Sequence, residues 1–191
     1  MGKFENRLKG RISETPEWRD LRVDASTHTL QIIDYEHHEI HAGSHFKAGY
    51  QNTDRDTDET VAITITTPDT DKEIHFTMTA QSTGAATVQL FRTPTLSAAG
   101  TAVTPFNRNE NSDTVSVATV KHTPTITANG TKISEKWVGG DGFKTSVGGE
   151  HRGDSEIILK RNTTYLILGT ANADAIKLAV GADWYEHTPK G

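Results

Sequence analysis

From residue 27 onward, apolar residues recur at every second position in short runs, and turn-forming residues separate the runs. Alternation of that period turns one face of an extended strand toward a core and the other toward solvent. The cleanest run is Thr60 to Thr66, where Val61, Ile63 and Ile65 alternate with Thr and Ala. Glu73 to Ala80 sets Ile74, Phe76 and Met78 on one face. Ala86 to Phe91 follows after a turn around Gly84, so the two runs read as a hairpin-like pair. His28 to Tyr35 reads as a strand with Leu30, Ile32 and Asp34 on one side, and Thr114 to Lys121 alternates Val115, Val117 and Thr119 before continuing past Pro124 to Ile126. Asn129-Gly130 is the strongest two-residue hairpin signal, because both residues tolerate positive φ. Three strands close the chain: Glu156 to Lys160, Thr164 to Gly169 and Ala175 to Tyr185, turned by Arg161-Asn162 and Asn172-Ala173-Asp174. Asn52 to Glu59 is polar and acidic and reads as a loop, as does the glycine-rich stretch from Gly139 to Gly149. Many short strands without a fixed-period repeat predict an all-β chain, an antiparallel β-sandwich of jelly-roll form, with an up-and-down barrel as the alternative.

The first 25 residues break this pattern. Phe4, Leu8 and Ile12 are spaced by four, as in a short amphipathic helix, but Gly10 and Pro16 interrupt them. Lys3, Arg7, Lys9, Arg11, Arg19 and Arg22 cluster here around Trp18 and Leu21. Residues 1–25 therefore read as a basic arm, extended or partly helical, ahead of a sandwich domain at 26–191. Arg7, Arg11, Trp18, Arg19 and Arg22 are its contact candidates, since a tryptophan in a polar segment is a natural docking anchor.

Composition sharpens the picture. The 29 threonines suit half-solvated strands far better than helices. Hydrophobic residues make up 34% of the 191, so the core is thin and much of the chain is surface. The absence of cysteine excludes thiol catalysis, disulfide scaffolds, zinc fingers and iron–sulfur clusters. A net charge of -5 argues against a nucleic-acid partner, which would call for a basic face. No stretch approaches the roughly 20 apolar residues of a membrane helix, and Met-Gly-Lys-Phe-Glu-Asn lacks the apolar region of a secretory signal. The expectation is a protein made in the cytoplasm with no membrane partner.

The densest candidate chemistry is Glu36-His37-His38-Glu39-Ile40-His41, followed by His45. On an extended strand His37, Glu39 and His41 would share a face and offer two imidazoles and a carboxylate to a metal; otherwise they line a solvated face or a subunit contact. The contact reading, with His37, His41 and His45 in it, is preferred, and no metal or cofactor is expected. His38 and His41 are one residue short of a His-Glu-x-x-His motif, no Gly-x-Ser-x-Gly elbow occurs, and the glycine cluster lacks the lysine of a phosphate loop. Asp54, Asp56 and Asp58 lack the glycine and distant glutamate of an EF-hand. Trp137 and Trp184 read as core or sheet-edge residues.

Several segments together resemble a known class. They are Ile33-Asp34-Tyr35-Glu36-His37-His38-Glu39-Ile40-His41-Ala42-Gly43-Ser44-His45-Phe46, Thr67-Pro68-Asp69 leading to Glu73-Ile74-His75-Phe76, Asn107-Arg108-Asn109 and Asn129-Gly130-Thr131. Arg152 with Glu156-Ile157-Ile158-Leu159-Lys160, Thr164-Tyr165-Leu166 and Trp184-Tyr185-Glu186-His187 complete the set. From about residue 27 the chain is similar to virion structural proteins of tailed bacteriophages, of the capsid decoration (cement) or head-fibre type. The resemblance implies a non-enzymatic protein on the capsid exterior, a homotrimer bound to the major capsid protein. Other readings are a receptor-binding virion appendage and a cupin-like metal-binding or sugar-binding sandwich.

Overall fold

The structure, a computed structural model, describes residues 34–140 and 155–189, together with the backbone of two short strands, β1 (Lys9–Arg11) and β2 (Trp18–Asp20). The chain divides into two compact units, Met1–His38 and Glu39–Gly191.

In the first unit β1 and β2 pair antiparallel, with Lys9 opposite Asp20 and Arg11 opposite Trp18. Of the two forms open to the arm, extended or partly helical, Lys9–Arg11 is extended: glycine at position 10 weakens a helix, whereas the pair needs only extended backbone. The strand expected at His28 to Tyr35 lies outside the described residues up to Ile33. Its end is corrected, because Tyr35–Ala42 is a helix, α1. Two caps bracket it. The Asp34 carboxylate accepts from the Glu36 amide at 3.2 Å, and Gly43, at φ +73°, ends the last turn with its amide on Ile40 O at 3.0 Å.

The second unit is an all-β sandwich of two antiparallel sheets. Its strands are β3 (His45–Arg55), β4 (Thr60–Thr67), β5 (Glu73–Ser82), β6 (Ala86–Arg92), β7 (Thr95–Ala98), β8 (Thr101–Val103), β9 (Phe106–Asn107), β10 (Thr119–His122), β11 (Thr125–Ala128), β12 (Thr131–Val138), β13 (Ile157–Leu159), β14 (Thr163–Ala171) and β15 (Ile176–His187). The five-stranded sheet has the order β13-β5-β15-β3-β9, the six-stranded sheet β12-β6-β14-β4-β10-β8, and β7 and β11 form a separate ribbon.

Consecutive long strands change sheets, which overturns the hairpin-like pairing of β5 with β6. Ile74, Phe76 and Met78 on one and Val88 and Leu90 on the other are all buried in a single core, so the chain crosses between layers to bring both apolar faces inward. The same logic corrects Asn129-Gly130. Gly130 does turn the chain at φ +84°, but β11 pairs with β7 and β12 with β6. Two further expectations change: β3 runs to Arg55 through the segment read as a loop from Asn52, and only Thr119–His122 of the run from Thr114 is strand, leaving Val115 exposed. Phe46, Ile63, Ile65, Phe76, Leu90, Ile167, Leu178 and Trp184 fill the core, with the Phe46 and Trp184 rings 6.0 Å apart. Strand β14 is buried on both faces. Leu166 and Leu168 point outward into a second cluster with Ala62 and Phe91, which Ile126 of the ribbon covers.

Candidate functional site

Strand β15 is the centre of the five-stranded sheet, and its last residues alternate between two different environments. Trp184 and Glu186 point into the core; Asp183, Tyr185 and His187 point to the outer face. Register fixes their neighbours there. Tyr185 lies opposite His45 of β3 and His75 of β5, and His187 lies opposite Glu73.

The result is a stripe of four rings across three strands. Tyr185 stacks on His75 with centroids 4.5 Å apart and planes at 11°, His187 sits 4.7 Å from His75, and His45 meets Tyr185 edge-on at 6.1 Å. Polar contacts lock the stripe. His75 Nδ1 is 2.7 Å from Glu156 Oε1, which also accepts the Tyr185 hydroxyl at 3.0 Å, and the Nε2 atoms of His75 and His187 are 2.8 Å apart. Because Glu156 accepts, His75 carries its proton on Nδ1; its Nε2 then offers a lone pair, and His187 donates to it. Glu73 Oε2 is 4.0 Å from that same Nε2. At the other end, His45 Nε2 contacts Asp183 Oδ1 at 2.7 Å. Arg108 Nη1 lies 3.4 and 3.5 Å from the two ring nitrogens, too even a placement for an in-plane bond, so the cation rides over the ring.

On the opposite face Glu186, 2% exposed, takes the Trp184 indole N–H at 3.0 Å, the Ser116 hydroxyl at 2.5 Å and the Val117 amide at 3.0 Å. This carboxylate ties the segment before β10 to the core.

The sequence-nominated residues distribute unevenly. Arg7 and Arg22 lie outside the described residues; Arg11, Trp18 and Arg19 are described only by their backbone in the β1–β2 pair. His37 and His41 are exposed on α1 while Glu39 between them is buried, which corrects the shared strand face: on a helix, residues two apart point away from each other. His45 is 0% exposed, so its side chain is an internal group bonded to Asp183 and not part of a contact surface. Trp184 is fully buried, whereas Trp137 stands 82% exposed on β12, an edge strand, with its indole N–H on Glu135 at 3.2 Å. Asp56 and Asp174 serve as turn caps: Asp56 accepts from the Ala175 amide at 3.1 Å and Asp174 from the Thr57 amide at 2.9 Å. Two donors from Thr57 hold Asp174 below the usual carboxylate range.

The grouping of Glu73, His75, Glu156, Tyr185 and His187 was missed by sequence reasoning. Its signal is the alternation itself, since Ile74 and Phe76 inward force Glu73 and His75 outward, but the pairing with β15 is a long-range fact. Comparison with family models, curated proteins and solved structures finds no match for this chain. Fold and site together define an all-β sandwich with a histidine and carboxylate stripe on the outer face of one sheet.

Proposed function

We propose that this chain is a non-enzymatic capsid decoration protein of a tailed bacteriophage, sited on the capsid exterior and bound as a homotrimer to the major capsid protein. The observation that carries the reading is the division of the chain into a sandwich and a separate N-terminal unit that pairs its own strands. A sandwich that fills its interior with its own side chains has its surfaces left for assembly, and an N-terminal unit that pairs its own strands adds a second element for contacts. Repetition by lattice symmetry then multiplies modest contacts. Residues 1–25 hold six basic residues and also Glu5, Glu14, Glu17, Asp20 and Asp24, so docking rests on Trp18 more than on net charge. The succession β3, β4, β5, β6 and β12, β13, β14, β15, alternating between sheets, supports the jelly-roll form of the sandwich.

The test is co-sedimentation of the full chain with source-phage capsids lacking it, comparing unexpanded with expanded shells. Saturable binding to expanded shells, weakened by Trp18→Ala with Arg19→Glu, supports the proposal; no binding to either shell overturns it. A second reading, a receptor-binding appendage, draws on Trp137, an exposed ring held in place by Glu135. Host-cell adsorption blocked by free protein and restored in Trp137→Ala would favour it.

A further inference from the structure

We infer that Glu73, His75 and His187 form a binding site for a divalent transition metal, zinc being the best match, on the outer face of the five-stranded sheet. The inference is independent of the capsid reading. One ligand atom from each of the three residues lies within 4.8 Å of the other two, and His75 Nε2 itself is 2.8 Å from His187 Nε2 and 4.0 Å from Glu73 Oε2. Two imidazoles and one carboxylate are a recurrent zinc set that leaves a fourth position for water or another group.

Three features separate this cluster from a chance meeting of polar side chains. First, strand register places the ligands: His187 is directly opposite Glu73, and His75 is the next outward residue of the same strand. Second, His75 has the partner typical of a metal-bound histidine, a carboxylate on its far nitrogen. Glu156 sits 2.7 Å from Nδ1 and is held by the Tyr185 hydroxyl, which fixes the tautomer that aims the Nε2 lone pair at the cluster. Third, little movement is required. Tetrahedral zinc at about 2.0–2.1 Å from each nitrogen sets them roughly 3.3 Å apart. The present separation is 2.8 Å between the two Nε2 atoms and 4.0 Å from His75 Nε2 to Glu73 Oε2, so these two pairs need changes below about 1 Å. On binding, the His187 imidazole exchanges its proton from Nε2 to Nδ1 through solvent, and both Nε2 lone pairs turn to the ion. The ion would join the end of β15 to the start of β5, and through Glu156 would steady the entry to β13.

The test uses the full chain, stripped with chelator and titrated with zinc by calorimetry and with cobalt by absorption spectroscopy. The expected result is one ion per chain with micromolar or tighter affinity, tetrahedral cobalt bands, and a Tm rise of about 5 °C or more at hundredfold excess over Kd. His187→Ala, which lies at the end of its strand, should abolish binding with an unchanged circular dichroism spectrum. Glu156→Gln should retain one ion and weaken affinity about 10- to 100-fold. Binding that survives His187→Ala but is lost in a His37→Ala/His41→Ala variant would assign the metal to α1 and overturn the inference. So would absence of saturable zinc and cobalt binding below millimolar concentration, which would leave a hydrogen-bonded histidine pair.

Discussion

Glu186 and Glu156 are two carboxylates on opposite faces of one sheet, and each gathers several donors, yet they serve different ends. Glu186 looks into the core, where its oxygens meet the Trp184 indole, the Ser116 hydroxyl and the amides of Val117 and Ala118. Its donors are mostly groups that would otherwise be buried without a partner. Glu156 sits on the outer face with a side chain 23% exposed, and its donors are two side chains of that face, His75 and Tyr185. The first carboxylate closes a fold; the second orients a ring. The difference lies in what is stranded when each is removed: an indole and a main-chain amide facing the core in the first case, two side chains of the outer face in the second.

Truncating the inward carboxylate is the severest way to break that contrast. Glu186→Ala would leave the Trp184 indole and the Val117 amide without their acceptor, while the Ala118 amide keeps Ser116 Oγ at 3.0 Å, and is expected to destabilise the chain by about 2–5 kcal/mol. Urea unfolding measures it. A loss below about 1 kcal/mol would mean that water replaces the carboxylate and that Glu186 is no more structural than Glu156.

The core face also has little room to give. Gly169 of β14 faces the other sheet, and a Cβ there would lie 2.9 Å from Val180 Cγ1 and 3.2 Å from Leu178 Cδ2. Gly169→Ala should therefore cost about 1–3 kcal/mol by overpacking, read from the same denaturation curves. A stabilised variant would show that the sheets part easily at this point.

Outside, the effect falls again. Tyr185→Phe keeps the stack on His75 and removes one hydrogen bond to Glu156, a change of about 1 kcal/mol. A loss as large as that of Glu186→Ala would erase the distinction between the faces.

How far this was legible from sequence follows from the same alternation. Val61, Ile63, Ile65 and Ile74, Phe76, Met78 are inward as their period demands, and the all-β sandwich follows from such runs. Strand β3 escaped because Lys47, Gln51, Asn52, Asp54 and Arg55 make a polar string, whose pairing with β15 supplies what its own composition does not. Helix α1 escaped because a period-two reading of His37, Glu39 and His41 competed with the caps Asp34 and Gly43, and the caps won. Sheet membership was hidden throughout: β5 and β6 adjoin in sequence, yet β5 pairs Ala80 with Val180 of β15 and β6 pairs Val88 with Gly169 of β14. The His75 stripe shared that fate. Each of its rings sits on a recognisable strand, and only pairing across the chain unites them.

The gentlest test of the comparison is a carboxylate on an exposed edge strand. Glu135 on β12 accepts from Lys132 Nζ at 2.8 Å, from Gln89 Nε2 at 2.6 Å and from the Trp137 indole, and these donors, Lys132 foremost, lower its pKa to about 2. A carboxyl depressed in the folded chain stabilises it above the ordinary value of 4.5, and that contribution fades as pH falls from there toward 2. The wild type should therefore lose its stability margin over Glu135→Gln across this interval. Solvent around the exposed Lys132 keeps that margin small and salt-sensitive. A side-chain NMR titration of Glu135 with a midpoint near 2 that rises in high salt is the expected outcome. A midpoint at 4 or above would mean that Lys132, Gln89 and Trp137 do not hold the carboxylate, and that gathered donors count only where water is excluded.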